Sequence, residues 1–317
     1  MVGLEMRLGL TPWIISGTVD AQTLSRQAAL AENWGYESFW LPENHFTGDG
    51  AIPEPLMLLA GAAASTTKIR LATTSFLLTL RHPLQAAEQV AVLDQLSNGR
   101  VILGVGRGYA PDMLAAFNVP AKDKREIFKT VLDTMRRAWT GEPITMEGSS
   151  EPVTISPLPF QKPYPPIWVA AFGPKALRQA GMLGMPYLAS PMEPIDRLRE
   201  NYQRHKEACK EEQVSYPDEI PVMRTVFVSE DKSLLSRIRH QLEEQAKQMS
   251  TSGIRKGMSL HVDDWAIIGE PGFVREKILF YRENLGMTDL IVTRLRIGKV
   301  DPELFERSLA TIAELTS

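Results

Sequence analysis

The sequence predicts an α/β fold, a parallel (β/α)8 TIM barrel with insertions, and three observations carry that prediction. Short β-rich runs alternate with amphipathic helical runs along the chain, and eight such strands can be read. The 317 residues, 44% of them hydrophobic, suffice for one large core, and no low-complexity linker divides them, so 1–317 reads as a single domain. A doubly wound open sheet would use about five to seven strands around a switch point, and no such point is found.

In order, the strands are read near Met6–Thr11, Ser38–Leu41, Ile69–Phe76, Val101–Val105, Ile167–Ala171, Pro186–Ala189, Val222–Val228 and Leu290–Thr293. Helical spacing marks Ala21–Trp34, Pro55–Ala64, Pro83–Leu96, Arg125–Trp139, Lys175–Met182, Ile195–Glu212, Lys232–Met249, Gly272–Leu285 and Pro302–Leu315. Within the third of these, Leu84, Ala87, Val90, Ala91 and Leu93 recur on one face, and Asn98-Gly99 is the stop signal. Two segments break the repeat, the proline-rich Gly141–Pro166 and Ser250–Glu270. In the first, Ile144–Met146 and Val153–Ile155 alternate as a small hairpin around Gly148-Ser149-Ser150, which would shield one barrel end. In the second, Ser250–Gly257 with Arg255 and Lys256 reads either as a lid over the barrel mouth or as a surface loop.

Composition excludes several classes. A formal charge of −3, with lysines and arginines scattered among 38 acidic residues, provides no basic stripe for nucleic acid or anionic lipid. No apolar run reaches the ~18 residues of a membrane span, and Glu5 and Arg7 interrupt any targeting core, so a soluble, cytoplasmic protein is expected. Cys209 is the only cysteine and lies in the charged helix Glu200–Glu212, which removes an internal disulfide, a thiolate metal site and a redox pair together.

In a barrel, the C-terminal ends of the strands carry the chemistry. The second strand ends Leu41-Pro42-Glu43-Asn44-His45-Phe46, a carboxylate, an amide and an imidazole in succession. There is no H-x-H, no H-E-x-x-H and no cluster among the other four histidines, so no metal is expected. His45 is then either an acid–base group or a brace for its own loop. The third strand ends Thr73-Thr74-Ser75-Phe76, polar where a barrel strand is normally apolar, which marks a hydrogen-bonded ligand or a bulge. Arg107, between Gly106 and Gly108, places a cation at the end of the fourth strand, suited to an anionic ligand or to a helix carboxylate below the loop. The fifth strand runs through Phe172-Gly173-Pro174 into a helix, so unpaired amides face outward in the geometry of an anion site. GVGRGY puts Tyr109 where a dinucleotide fingerprint needs its third glycine, and neither G-x-S-x-G nor G-x-x-x-x-G-K-[ST] occurs. Paired carboxylates for glycoside hydrolysis stay open, because partners can come from distant strands.

Taken together, SFWLPENHF, the third strand with RHPLQAAEQVAVLDQLSNGR, VILGVGRGY, PPIWVAAFGPKALRQAG and IIGEPGFVREKI resemble the bacterial luciferase-like flavin-dependent monooxygenases over nearly the full length. HPLQAAEQVAVLDQLSNGR is highly specific, whereas the GEP turn and terminal helix are weak alone. The resemblance implies a (β/α)8 barrel, usually a homodimer or tetramer, with FMN at the C-terminal mouth. It implies that a separate flavin reductase supplies reduced FMN, which is used with O2 to oxidise a small organic substrate. Residue by residue, it puts Arg107 at the FMN phosphate, with the amides of Phe172, Gly173 and Ala176 completing that site. Thr74-Ser75 matches a cis non-proline peptide beneath the isoalloxazine ring, Glu43 offers its backbone near the ring, and Tyr109 lines the ribityl side. Luciferases have two adjacent histidines after the glutamate; here Asn44 replaces the first and His45 remains. An asparagine can donate a hydrogen bond but cannot relay a proton near neutral pH, so light emission is not expected. Asn44 and His45 are the catalytic candidates, with His45 as the acid–base group. Two alternatives accompany this reading: a deazaflavin-dependent hydride-transfer oxidoreductase of the same superfamily, and a non-catalytic flavin-binding protein. Trp13, Phe46, Met192 and the two excursions would set specificity, and they fit many apolar ligands. The helices near Pro55 and Pro83 offer dimer surfaces or plain barrel packing.

Overall fold

The computed structural model describes residues 6–14, 20–250, 261–295 and 297–316. In chain order these form β1 (Arg7–Leu10), α1 (Ala21–Trp34), β2 (Ser38–Leu41), α2 (Pro55–Ser65), β3 (Arg70–Thr73), β4 (Phe76–Leu77), α3 (Pro83–Leu96), β5 (Val101–Gly106), α4 (Pro111–Ala116) and α5 (Lys124–Trp139). There follow β6 (Ile167–Ala170), α6 (Pro174–Met182), β7 (Tyr187–Leu188), α7 (Ile195–Glu211), β8 (Pro221–Val228), α8 (Lys232–Ser250), β9 (Ala266–Gly269), α9 (Pro271–Leu285), β10 (Asp289–Thr293) and α10 (Pro302–Thr316). A strand stands at each of the eight predicted places. The chain divides into two compact units, one of Ile15–Glu32 and Phe39–Ala170, the other of Met1–Ile14, Asn33–Ser38 and Ala171–Ser317.

In the unit that holds Phe39–Ala170, β5 is the central strand. It pairs in parallel with β3 (Leu71↔Val101), with β4 (Phe76↔Val105) and with β6 (Leu103↔Ile167). All six of its residues are buried, as expected of a parallel strand covered on both faces. The spacing predicts one strand over Ile69–Phe76, but the structure has two, separated by a cis peptide between Thr74 and Ser75. The Thr74 amide donates to the Leu41 carbonyl at 2.7 Å, and Thr73 Oγ1 donates to the Gly104 carbonyl at 2.8 Å. The Ser75 side chain occupies the space beside Gly106, where an added Cβ would stand 3.0 Å from Ser75 Cβ and closer still to its hydroxyl.

The specific stretch between α3 and β5 owes its pattern to packing. Asn98 and Gly99 take left-handed backbone (φ +53° and +79°), and the Gly99 amide donates to Asp94 O at 2.9 Å, closing the helix. Arg100 turns back and donates to the carbonyls of Ala63, Thr66, Ile69 and Ser97 at 2.7–3.1 Å, which caps the C-terminal end of α2. The fully buried Asp94 carboxylate accepts from the backbone and side-chain amides of Gln161, both at 2.8 Å, and so ties the long excursion to α3. The excursion's hairpin is a single antiparallel bridge, Ile144 with Val153, closed by reciprocal 2.9 Å bonds. The six-residue α4 is absent from the sequence reading, because one short turn after a proline has too few positions for periodicity to register.

In the other unit, β10 lies between β1 (Arg7↔Asp289) and β8 (Asp289↔Pro221), and Arg7 grips Asp289 with two 2.7 Å bonds. β8 also pairs in parallel with β9, from Thr225↔Ala266 to Val228↔Gly269. β9 corrects the reading of Ser250–Glu270 as an excursion without a strand: its four apolar residues are buried without alternation, too short a run to distinguish from loop. The lid expected at Ser250–Gly257 lies outside the described residues from Thr251 onward. Among the described residues, no helix is long and apolar enough to cross a membrane.

Candidate functional site

Glu43 is the centre of the polar cluster that follows β2. Its side chain is fully buried. Oε1 lies 2.8 Å from His45 Nε2 and 2.7 Å from Arg81 Nη2, while Oε2 accepts the Leu77 amide at 2.8 Å. The Leu77 amide and the Arg81 guanidinium donate to the buried carboxyl in place of the water it has lost, and the His45 ring nitrogen completes its contacts. Arg81 stacks its guanidinium 4.0 Å above the Phe76 ring centre and reaches Glu54 at 3.5 Å. The His45 ring, itself nearly buried, meets Phe117 edge-on at 4.8 Å between centres. Phe117 in turn stacks on Phe46, which is 71% exposed and holds a left-handed φ of +59°.

Asn44 sits beside this cluster, engaged in loop structure. Its Oδ1 accepts from the Ile52 backbone amide and from Thr47 Oγ1, both at 2.9 Å, and its backbone N–H donates to Ile52 O at 3.1 Å. The Thr74–Ser75 cis peptide stands between β3 and β4, whose Leu77 amide binds Glu43, so the imidazole, the carboxylate and that peptide belong to one connected element.

At the C-terminal end of β5, Arg107 is anchored through its backbone, whose carbonyl accepts from Thr79 Oγ1 at 2.8 Å. Lys124 and Arg125 open α5 beside it, and Lys124 Nζ reaches Gly108 O at 3.5 Å. Burial, and then the neighbouring Arg125, push the Arg107 pKa below its ordinary value. Burial, Arg107 and Arg125 do the same to Lys124. Like charges that depress one another in this way are relieved by a bound anion. Tyr109, two residues on, is 68% exposed.

The remaining predicted residues belong to the other unit. Gly173 has φ +83° and caps α6, the Ala176 amide donates to Gly173 O at 3.1 Å, and Phe172 is 50% exposed. The Ala176 donor is therefore already engaged within its helix turn. Of the specificity candidates, Trp13 and Met192 are buried at 1% and 3% exposure. Met192 lies in a loop whose flanking carbonyls, Pro191 and Glu193, accept from the buried Arg224 guanidinium. Among the described residues, no group of three His, Cys, Asp or Glu side chains is placed to hold a metal.

The structure thus joins Glu43 with His45 and places Asn44 and Thr74–Ser75 on adjoining backbone. It also adds Arg81, Phe117, Lys124 and Arg125, which sequence reasoning missed. Arg81 opens the RHPLQ stretch but sits 38 positions from its partner, and Lys124-Arg125 looks like an ordinary solvated helix start.

Comparison with known proteins places this geometry. The family model for luciferase-like monooxygenases matches residues 7–289. The oxygenase component of the flavin-dependent trigonelline monooxygenase of Acinetobacter baylyi is 28% identical over 212 residues, 64% of this chain and 58% of that protein. The chain spans about half the length of the curated relatives it matches. Among solved structures, it resembles the oxygenating constituent of 3,6-diketocamphane monooxygenase from Pseudomonas putida, a type II Baeyer–Villiger monooxygenase in complex with FMN. That likeness has a TM-score of 0.83 and 23% identity, covering 98% of this chain and 97% of that one. It also resembles the coenzyme F420-dependent tetrahydromethanopterin reductase of Methanopyrus kandleri, with a TM-score of 0.73 and 20% identity over 98% and 97%. The fold is therefore the α/β TIM barrel of luciferase type, and the chain belongs to the luciferase-like monooxygenase family.

Proposed function

We propose that this protein is the oxygenase of a flavin-dependent monooxygenase system, which takes reduced FMN from a separate flavin reductase and uses O2 to oxidise a small organic substrate. The observation that carries the reading is the cationic group Arg107, Lys124 and Arg125 at the end of β5. Three clustered cations suit a phosphate monoester, which carries close to two negative charges at neutral pH. The F420-dependent fold neighbour keeps hydride transfer to a deazaflavin as the second reading.

In the first reading Arg107, with Lys124 and Arg125, holds the FMN phosphate, and the amides of Phe172 and Gly173 serve as a further anion-binding turn, while the Ala176 amide stays bonded to Gly173 O. The Thr74–Ser75 peptide and the Glu43 backbone border the ring, and Tyr109 borders the ribityl chain. Bound reduced FMN supplies the electron pair with which O2 is activated. His45 moves the proton, Asn44 offers a hydrogen-bond donor, and the apolar Phe46 and Phe117 rings keep water from the imidazole. The proposal extends to a single domain over 1–317, a homodimer and a cytoplasmic location.

Binding tests it directly. FMN, riboflavin and a deazaflavin coenzyme are titrated into the wild type and into Arg107→Ala. The variant is expected to lose about 10- to 100-fold in FMN affinity, the worth of one charge-assisted contact, and to bind riboflavin unchanged. Preference for the deazaflavin, with no oxygen uptake when a reductase supplies reduced FMN, would overturn the reading.

A further inference from the structure

We infer that Glu43, braced by Arg81, is a positioning residue that fixes His45 as its Nε2–H tautomer, so that Nδ1 is the atom that exchanges the proton with the reacting ligand. This rests on the reading of His45 as the acid–base group. The argument starts from Glu43 Oε1, which takes two partners: Arg81 Nη2 at 2.7 Å and His45 Nε2 at 2.8 Å. A guanidinium can only donate, and a carboxylate it holds can only accept, so the ring nitrogen facing the same oxygen must carry the hydrogen. The opposite assignment would set a nitrogen lone pair against a carboxylate oxygen inside a fully buried side chain.

The rest of the cluster resists rearrangement. Oε2 is held by the Leu77 amide at 2.8 Å, so the carboxylate is fixed from both ends. Arg81 is fixed in turn by its stack on Phe76. Among the described residues its Nε is buried with no hydrogen-bond partner, so the guanidinium's orientation follows from the Glu43 bond, the longer Glu54 contact at 3.5 Å and the stack. Phe117, edge-on to the imidazole at 4.8 Å and 69°, opposes rotation of the ring. When Nδ1 accepts a proton, the ring becomes an imidazolium whose charge faces the Glu43 carboxylate through Nε2. The proton leaves by the same Nδ1, and the Nε2 contact to Glu43 is kept throughout.

The test is a histidine-ring 15N–1H correlation spectrum of the full chain, with the His45 signals assigned among the five histidines by His45→Gln. The expected pattern is a protonated Nε2 and an unprotonated Nδ1. A protonated Nδ1, or an even mixture of tautomers, overturns the inference. Arg81→Met is expected to mix the tautomers and to lower kcat about 10- to 100-fold, while FMN affinity stays within about twofold. Arg81→Lys, which restores one charged donor, should recover part of both. Unchanged tautomer and kcat in Arg81→Met would reduce Arg81 to a structural brace and refute its role. The spectrum is read without turnover. A His45→Gln variant that keeps full kcat would therefore sink the acid–base reading separately from the tautomer assignment.

Discussion

Replacing Arg100 by Met should cost this protein about 3 kcal/mol of stability, because one guanidinium carries the cap of a neighbouring helix. Arg100 donates from Nε to Ser97 O at 2.7 Å, from Nη1 to Thr66 Oγ1 at 2.8 Å and Ile69 O at 2.9 Å, and from Nη2 to Ala63 O at 3.0 Å and Thr66 O at 3.1 Å. Thr66, Ile69 and Ser97 are buried, so these carbonyls have little access to water once the donor is gone. At roughly 0.5–1.5 kcal/mol net for each of the four carbonyl bonds, the sum spans about 2–6 kcal/mol, and partial relaxation of the loop puts the outcome in the lower half. Methionine keeps most of the stem's packing, which isolates the polar loss from a cavity effect. Denaturant unfolding followed by far-ultraviolet circular dichroism measures it as a fall in midpoint at unchanged slope. Arg100→Lys, with a single point of donation, should regain less than half. A loss below about 1 kcal/mol for Arg100→Met would refute the reasoning, since it would mean that the α2 carbonyls are satisfied without the arginine.

Two further outcomes are expected. Gly106→Ala should destabilise the protein by about 1–3 kcal/mol, because the new methyl meets the Ser75 side chain. Ser75→Gly in the same chain should restore most of the loss in a double-mutant cycle, and additive effects would contradict the contact. Burial raises the Glu193 carboxyl above its ordinary range despite bonds from Tyr187, Ser190 and Asn201, so the folded chain holds this proton to higher pH than the unfolded one. Its contribution is therefore present at acid pH and lost as pH rises through the raised value. The stability of the wild type relative to Glu193→Gln should increase as pH is lowered from about 8 to 5, and a flat difference would exclude Glu193 as the source.

The candidate site was legible where its signals are local. Arg107 stands out because two glycines flank it at the end of an apolar run, and the polar Thr74-Ser75 pair interrupts a strand that should be apolar. Glu43 and His45 are two positions apart at a strand end, so their proximity is readable as well. Their roles are not, because the atoms that define them come from elsewhere. Asn44 looks like a free amide until its Oδ1 is seen to accept the Ile52 amide. Trp13 looks like a mouth residue, but in the structure it is buried in the packing, with its ring 5.5 Å from Trp34. β9 escaped for a different reason: a four-residue run buried on both faces has no period to detect.

By itself the sequence determined the alternation of strand and helix, the barrel class and the places where the chain turns, because periodicity, proline starts and glycine stops act over a few neighbouring residues. Only the tertiary structure decided which charged and polar groups meet. Arg81 reaches Glu43 across 38 positions, Gln161 reaches Asp94 across 67, and Lys124 and Arg125 come to stand beside Arg107. Parallel strands bring the loops at their ends together whatever the length of chain between them, so no spacing in the sequence records these encounters.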